Sequence, residues 1–366
     1  MTAQYQHLGW IVSPYSQKTL AYLKFKNIPH KDRAPKIFEL MRSIPKRVGK
    51  SIMPTVQTPE GEWLQDSTEI IDYLEQQYPE PSITPQGAKQ KIAAHLLELH
   101  GDEWLVLASL HYRWSRPASA DFIVGEFARL AVPFLPRFIG RKFGQNIRNQ
   151  MKSYLPRFGI VGEARKGLEA FTENLLAQLE SHFTQHPYLL GNRPCVGDFA
   201  MFGQLFAHLY RDPGSKPLFD NTPNLVNWVN RMLEPENAPK GDFLPNDEIP
   251  ETLTPILKTI FAEQFEFSDK VVSSVQNYVK QKPDAKRVSR ITGQTDFKIG
   301  GIKGERSMFT FVQWKVQRAW DALHNLKGNE SQNAKDWLTS IGGEALIDME
   351  IEHRLKREGY NEVLAG

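Results

Sequence analysis

The sequence is poor in the features that mark several classes of protein. Among 366 residues there is a single cysteine, Cys195, which excludes an intramolecular disulfide and a metal site of clustered thiolates. One free thiol also favours a reducing compartment, so the expected location is the cytoplasm. No apolar run is long enough to cross a bilayer, and residues 1–7 lack the basic and apolar regions of a secretory signal. We therefore expect no membrane insertion.

An excess of charge of one sign is also missing. The 45 basic and 42 acidic residues leave a formal net charge of +3, which is too close to balance to indicate a nucleic-acid partner. What is present is apolar sequence, with 40% hydrophobic and 11% aromatic residues. A chain of this length and composition can bury a large core and should divide into two or three domains.

Strand and helix signals alternate over the first 80 residues. An apolar strand over residues 7–12 is followed by a helix from about 14 to 26, a second strand over 28–31 and a short helix over 36–42 interrupted near Pro45. A hairpin with strands over 52–57 and 62–64 and a helix over 67–77 complete the series. This order predicts an α/β domain.

Helical sequence dominates after a proline-rich stretch, residues 78–87, which we interpret as a linker. Amphipathic helices are predicted over residues 89–115 and 167–184. Residues 117–162 favour shorter helices with breaks. A strongly apolar helix over 199–210, which begins at Asp198, should lie at the centre of an all-α domain.

Residues 234–250, rich in proline, asparagine and aspartate, indicate a second boundary. The tail that follows has helical patterns over 253–265, 270–280 and 311–326, and its glycine-rich patch, residues 298–304, reads as a turn. The predicted domains are 1–80, 88–245 and a mostly helical C-terminal extension, 246–366. The predicted fold class is thus α/β plus all-α.

The residues that close the first strand, Ser13-Pro14-Tyr15-Ser16, could carry chemistry. The first hydroxyl would stand beside unsatisfied N–H groups at the start of a helix, where an anion is favoured. Donors that bind a thiolate better than a thiol raise the reactive fraction of the thiol at neutral pH. Ser13 is the candidate donor, with Tyr15 and Ser16 as secondary candidates. Simple capping of the helix is the alternative role for Ser13.

Two further elements could hold a small peptide. If the Met53-Pro54 bond is cis, the backbone amide and carbonyl of Met53 turn outward and can pair with a ligand, although only about 5–6% of such bonds are cis in folded proteins. The helix that starts after Asp66 offers a carboxylate site at Ser67 and the free amides, and Asp66 could pair with a ligand ammonium. A capping box, with Asp66 and Glu69 as its members, is the structural alternative.

Together these elements resemble the thioredoxin-like N-terminal domain of cytosolic glutathione transferases, and the helical sequence to about residue 240 resembles their C-terminal domain. The resemblance implies that Ser13 activates the glutathione thiol and that Met53, before a cis Pro54, pairs with the cysteinyl backbone of glutathione. It also implies that Asp66 and Ser67 bind the γ-glutamyl end, where the family usually has Glu-Ser. The resemblance covers roughly two thirds of the chain, without residues 117–162 and the extension.

One departure from the family concerns the segment before the central helix. Residues 188–191 and 194–198 are similar to the family's segment there, in which a Ser or Thr three residues before the aspartate forms an N-cap box. Here Cys195 takes the place of the Ser or Thr, while Asp198 is present. Folding of the second domain is still expected.

The resemblance implies a serine-type glutathione transferase. Glutathione would be its co-substrate, a small hydrophobic electrophile its second substrate, and no metal would be needed. Detoxification in the cytoplasm as a homodimer is the expected setting. Conjugation, ether cleavage or dehalogenation by a glutathione-dependent lyase, and isomerisation stay open, whereas disulfide exchange does not, because the Ser13 hydroxyl cannot form a mixed disulfide. The alternative is a non-catalytic binding or scaffolding module that keeps the fold.

The second-substrate pocket is predicted between Ser13 and the first long helices of the second domain. His111 and Trp114, three residues apart, can share a helix face there, and Tyr15 is a further candidate for the pocket. Core packing is the alternative for such an aromatic cluster. A second aromatic and basic segment, around residues 306–320, could close over the pocket, stack against a dimer partner, or pack under the helices.

Overall fold

A four-stranded mixed sheet organises the start of the chain in the computed structural model, which describes residues 4–237 and 241–365. The strand order is β2-β1-β3-β4; the strands are β1 (Tyr5–Leu8), β2 (His30–Arg33), β3 (Thr55–Gln57) and β4 (Trp63–Gln65). β1 pairs in parallel with β2 and antiparallel with β3, and β3 pairs antiparallel with β4. This is the mixed sheet of a thioredoxin-like domain, so the predicted α/β start of the fold is confirmed.

Three helices accompany this sheet: α1 (Pro14–Phe25), α2 (Ile44–Val48), which follows a π-helical segment at Glu39–Ser43, and α3 (Ser67–Gln77). The predicted strand over 7–12 was placed too late, because a tight turn in which Ser13 N–H donates to Trp10 O at 2.9 Å takes up residues 9–12. The predicted interruption at Pro45 was wrong as well. The helix runs through Pro45, because α2 continues directly from the π-helical segment, in which the Ile44 N–H donates to Glu39 O and Ser43 and Ile44 are helical.

Helices make up the middle of the chain, as predicted. They are α4 (Ala88–Glu103), α5 (Leu105–Ser115), α6 (Pro117–Ala131), α7 (Arg137–Tyr154), α8 (Ala164–Phe183), α9 (Val196–Gln204) with a π-helical continuation at Leu205–Tyr210, and α10 (Pro223–Leu233). The helix predicted over 89–115 is two helices that meet at Trp104. The elaboration over 117–162 is largely a helical hairpin, α6 and α7.

The extension adds both helices and strands. Its elements are α11 (Thr254–Thr259) with a π-helical continuation at Ile260–Phe265, α12 (Glu266–Gln281), β5 (Ile291–Ile299), β6 (Ile302–Phe309), α13 (Phe311–His324), α14 (Gly328–Ser340), α15 (Glu344–Ile347), β7 (Leu355–Glu358) and β8 (Asn361–Leu364). Of the glycine-rich patch predicted as a turn, Gly300 and Gly301 form the turn between β5 and β6, with φ of 53° and 78°, and the remaining residues belong to the two strands. The two hairpins themselves were not predicted.

The described residues divide into two compact units that each draw on several stretches of chain. Among the described residues, the first takes 4–82, 109–155 and 199–237, and the second takes 83–108, 156–198 and 241–365. The domain boundaries proposed from the sequence stay predictions. No helix in the described part of the chain is long and apolar enough to span a membrane.

A buried ionic network inside the second unit joins α13 of the extension to α4. Lys315 Nζ lies 2.9 Å from Glu98 Oε1 and 2.7 Å from Asp102 Oδ2, and Arg318 Nε donates to Glu98 Oε2 at 2.9 Å. The Lys315, Glu98 and Asp102 side chains are nearly inaccessible to solvent. Two carboxylates and two cations thus compensate each other's charge at a place where water does not solvate them. Buried charges are tolerated when they are paired in this way.

Candidate functional site

Ser13 stands at the N-cap of α1 in the first unit. Its backbone is extended, and its Oγ accepts the Ser16 N–H at 3.3 Å. The capping alternative is therefore realised, but it uses only an acceptor lone pair of the hydroxyl. Within the described residues the Ser13 O–H donates to no protein acceptor. A half-buried hydroxyl with a free proton at the positive end of a helix is suited to binding an anion.

Arg113 fixes the chain just before Ser13, a role that the sequence did not reveal. Its Nη1 donates to Val12 O at 2.6 Å, and its Nη2 donates to Ala207 O at 2.5 Å. Its Nε and Nη2 also form a two-bond ion pair with Asp212, at 2.7 and 2.9 Å. One guanidinium therefore holds the loop that carries Ser13 against the segment after α9.

The Arg113–Asp212 pair is almost completely buried. Burial lowers the pKa of the Arg113 guanidinium and raises the pKa of the Asp212 carboxyl from their ordinary values, while the attraction between the two opposes both shifts. If either side chain were removed, water could not solvate the charge of the other, so each charge is stabilised by its partner. The pairing spans 99 positions of sequence, and no local pattern indicates it.

A glycine brings α9 against the same loop. A Cβ on Gly203 would lie 2.4 Å from Pro14 O, a distance that no side chain tolerates. Nearby, the Phe199 ring contacts the rings of Tyr22 and Phe25 on α1 with centroids 5.8 and 5.9 Å apart. The start of α9 thus packs along α1, and the position of Ser13 follows from core packing.

The Met53-Pro54 bond is cis, as the resemblance implied. In the part of the chain that the structure describes, the backbone amide and carbonyl of Met53 make no hydrogen bond. Gln65, at the end of β4, holds the preceding segment, because its Nε2 donates to Lys50 O and Ile52 O at 2.8 Å each. No local pattern in the sequence indicates this role of Gln65. The loop therefore offers one donor and one acceptor to an extended ligand.

Asp66 and Ser67 lie at the N-terminus of α3, where they were predicted. Asp66 Oδ1 accepts the N–H groups of Thr68 at 2.9 Å and Glu69 at 3.4 Å, so Asp66 does cap the helix. Its backbone has φ 79° and ψ 130°, a region that costs a residue with a side chain about 1–3 kcal/mol and that is found mostly at functional sites. Ser67 is buried beside the first turn.

Lys18 brings the two helix starts together. It lies on α1, is buried, and its Nζ donates to Thr68 Oγ1 on α3 at 3.3 Å. The Ser13 and Asp66 ends of the candidate site are thus parts of one packed structure. The burial of Lys18 was not predicted, since a lysine inside an amphipathic helix usually points to solvent.

The residues proposed for a second-substrate pocket have different environments. Tyr15 is half-buried, next to Ser13. His111 and Trp114 are each 2% exposed, so both rings belong to the core of the first unit, as the packing alternative has it. Trp114 Nε1 is nevertheless buried without an acceptor among the described residues. The role of the three residues in substrate binding stays a prediction.

Cys195 and Asp198 lie in the second unit, away from these residues in the chain. Asp198 Oδ1 accepts the Leu189 N–H at 3.1 Å and Oδ2 accepts the Cys195 N–H at 2.9 Å. The carboxylate therefore holds the turn before α9 through backbone groups, for which a cysteine serves as well as a serine. Among the described residues, no group of three or more His, Cys, Asp and Glu side chains could hold a metal ion.

We expect the thiol of Cys195 to be inert in the folded chain. The side chain is completely buried, and burial, followed by the nearby Asp198 charge, raises the pKa of the thiol well above its ordinary value. Because only the thiolate reacts, dithionitrobenzoate should release no thionitrobenzoate from the native chain and one equivalent after denaturation. Rapid labelling of the native chain would contradict this placement of Cys195.

Two family models match the sequence. Residues 8–82 match the N-terminal domain of glutathione S-transferase, and residues 153–236 match the C-terminal domain of glutathione S-transferase. No curated protein matches the chain in sequence.

Several solved structures are similar to the chain. A glutathione S-transferase from Rhodospirillum rubrum F11 is 15% identical, over 68% of this chain and 97% of that chain, with a TM-score of 0.42. The beta-etherase LigF from Sphingobium sp. strain SYK-6 is 18% identical, over 64% and 98%, with a TM-score of 0.41. CsGST63524 of Ceriporiopsis subvermispora, solved in complex with glutathione, is 16% identical, over 65% and 100%, with a TM-score of 0.42.

Proposed function

We propose, on the premise that this chain is a member of the glutathione S-transferase family, that it binds glutathione and activates its thiol for attack on a small hydrophobic electrophile. The observation that carries the proposal is the Ser13 hydroxyl, which stands at the start of α1 with its proton free. A thiolate placed there would accept that proton in a hydrogen bond and would face the positive end of the helix.

The rest of the tripeptide has complementary groups nearby in the first unit. The free amide and carbonyl of Met53 suit the backbone of the cysteinyl residue, which also has one acceptor and one donor. The N–H and hydroxyl of Ser67, at the start of α3, suit the α-carboxylate of the γ-glutamyl residue, since the N–H groups of Thr68 and Glu69 already bond Asp66. The negative charge of Asp66 suits the ammonium of the γ-glutamyl residue. The unusual backbone of Asp66 supports a functional role for this corner.

In the proposed reaction the thiol loses its proton to solvent, and Ser13 stabilises the thiolate that remains. The sulfur lone pair forms a bond to the electrophilic carbon, and the leaving group departs with the electron pair of the bond that breaks. Ser13 does not change its covalent state. Conjugation by displacement and ether cleavage share this step, whereas isomerisation begins with addition of the thiolate to a carbon–carbon double bond and ends with elimination of the same thiolate. The proposal extends to a cytoplasmic homodimer.

The decisive experiment is a calorimetric titration of the full chain with glutathione and with cysteinylglycine, which lacks the γ-glutamyl residue. Glutathione should bind at least about tenfold more tightly, because hydrogen bonds to charged groups contribute about 1.5–3 kcal/mol. A conjugation assay with a general electrophile then separates the two candidate roles. Binding with turnover supports the enzyme, and binding without turnover favours a binding or scaffolding module. Absence of glutathione binding would overturn both.

A further inference from the structure

The helices α6 and α7 form a closely packed helical hairpin. A Cβ on Gly144 would lie 2.3 Å from Val124 O, and a Cβ on Gly140 would lie 3.2 Å from the Ala128 Cβ. The two glycines, one helical turn apart, therefore allow α7 to lie directly on α6. The short connection between the helices projects at the end of this tight pair. We call residues 132–142 the hairpin tip.

The hairpin tip exposes large apolar side chains. Phe134 and Phe138 are each 68% exposed, and Ile139 is 40% exposed. Pro133 and Pro136, between and beside them, are also exposed. Phenylalanine is among the residues most often buried, and a contiguous exposed apolar patch usually marks an interaction site.

The charged residues of the hairpin tip are all basic. The hairpin tip contains Arg137, Arg141 and Lys142 and no acidic residue, and the whole of α7 has five basic residues and no acidic one. Arg141 and Lys142 are exposed, and neither forms an ion pair with any residue that the structure describes. Aromatic side chains beside unpaired cations on an amphipathic helix are the combination that suits the surface of an anionic membrane.

We propose that the hairpin tip docks the protein on an anionic lipid surface. Phe134, Phe138 and Ile139 reach the level of the headgroups, and Arg141 and Lys142 pair with the phosphates of the lipids. The cytoplasmic leaflet carries such negative charge. No segment spans the bilayer in this arrangement, and none of these residues belongs to the proposed glutathione site.

Charge complementarity favours lipid over a second copy of the chain. A twofold interface through the hairpin tip would bring Arg141 and Lys142 of one copy close to the same cations of the other, and like charges at an interface are unfavourable. A lipid surface supplies the opposite charge along the whole tip and accepts the apolar side chains at the same time.

Co-sedimentation of the full chain with vesicles tests the proposal. Partitioning onto phosphatidylcholine vesicles that contain phosphatidylglycerol should be at least about tenfold stronger than onto phosphatidylcholine alone, and it should weaken as salt is added. The Phe134→Ser/Phe138→Ser variant should lose about tenfold or more in partitioning, and the Arg141→Gln/Lys142→Gln variant should lose about as much on the anionic vesicles only.

The chain offers a matched control. Phe38 and Met41 are as exposed as the tip residues, at 59% and 73%, but they lie outside α7, so Phe38→Ser/Met41→Ser should partition as the unchanged protein does. Equal binding to both kinds of vesicle, or full binding by Phe134→Ser/Phe138→Ser, would overturn the proposal. A third contradicting result would come from sedimentation velocity: the unchanged protein is an oligomer that does not bind vesicles, and Phe134→Ser/Phe138→Ser is a monomer. The hairpin tip would then be an interface between copies of the chain.

Discussion

Replacing Ser13 with alanine is expected to slow glutathione conjugation by roughly 10- to 150-fold while glutathione affinity changes little. The proposed hydrogen bond joins the hydroxyl to a thiolate, and such a bond to a charged group contributes about 1.5–3 kcal/mol. When glutathione is bound as the thiol, the substitution removes much less binding free energy. The apparent pKa of the bound thiol, followed by the ultraviolet absorbance of the thiolate, should therefore rise by about 1–2 units.

Two variants separate this effect from damage to the helix start. Ser13→Thr keeps both the hydroxyl and the capping acceptor, and it should retain most of the activity. Ser16, a secondary candidate for the donor, is completely buried, and its hydroxyl has no partner among the described residues. Because solvent does not reach this hydroxyl, we expect no contact with the bound thiol, and Ser16→Ala should leave the thiol pKa unchanged. If the thiolate absorbance of Ser13→Ala matches that of the unchanged protein, Ser13 does not activate the thiol.

The second large effect is expected at Arg113, where Arg113→Met should lower the free energy of unfolding by about 3–5 kcal/mol. The substitution leaves the Asp212 carboxylate buried without its counter-ion, a change whose cost exceeds that of most single substitutions. The carbonyl of Val12 also loses the donor that holds it. Denaturation in urea, followed by circular dichroism, measures the change.

An ion pair with an exposed arginine in the same unit provides the comparison, because its carboxylate, Glu126, keeps Arg211 as a second partner at 2.9 Å. Arg129 is paired with Glu126 at 2.9 Å but is 61% exposed, so Arg129→Met should cost less than about 1 kcal/mol. The double variant Arg113→Met/Asp212→Leu should recover much of the lost stability. The chain before Ser13 is not held in this variant either, so the apparent pKa of the bound glutathione thiol should be higher than in the unchanged protein. Stability of Arg113→Met within about 1 kcal/mol of the unchanged protein would contradict the account.

Local signals predicted the elements that carry the candidate site. The predicted helix over 67–77 is α3 to the residue, because Asp66 supplies a strong start and the prolines after residue 78 cannot continue the helix. Likewise Ser13-Pro14 predicted the start of α1. In these places the information lies within a few residues, so short patterns suffice.

The features that the sequence did not predict are those without a local signal. β5 was missed because its burial alternates weakly, with most of its side chains partly or fully exposed, so the strand has little apolar period to detect. The partners of Arg113 and Gln65 are backbone carbonyls and a carboxylate brought close by folding alone. A sequence lists such residues, but only the tertiary structure pairs them.

The ionic network between α4 and α13 bears on how the chain can be divided. A protein cut back to the region that matches the two transferase models, which ends at residue 236, would still contain Glu98 and Asp102 but would lack the lysine and arginine opposite them. The Glu98 and Asp102 carboxylates would then lie unpaired in an apolar environment, or the surrounding core would have to let water in to solvate them. The last third of these 366 residues is therefore part of the same core as α4 and not an appendage, and forms that end near residue 236 are unsuitable substitutes for the longer chain.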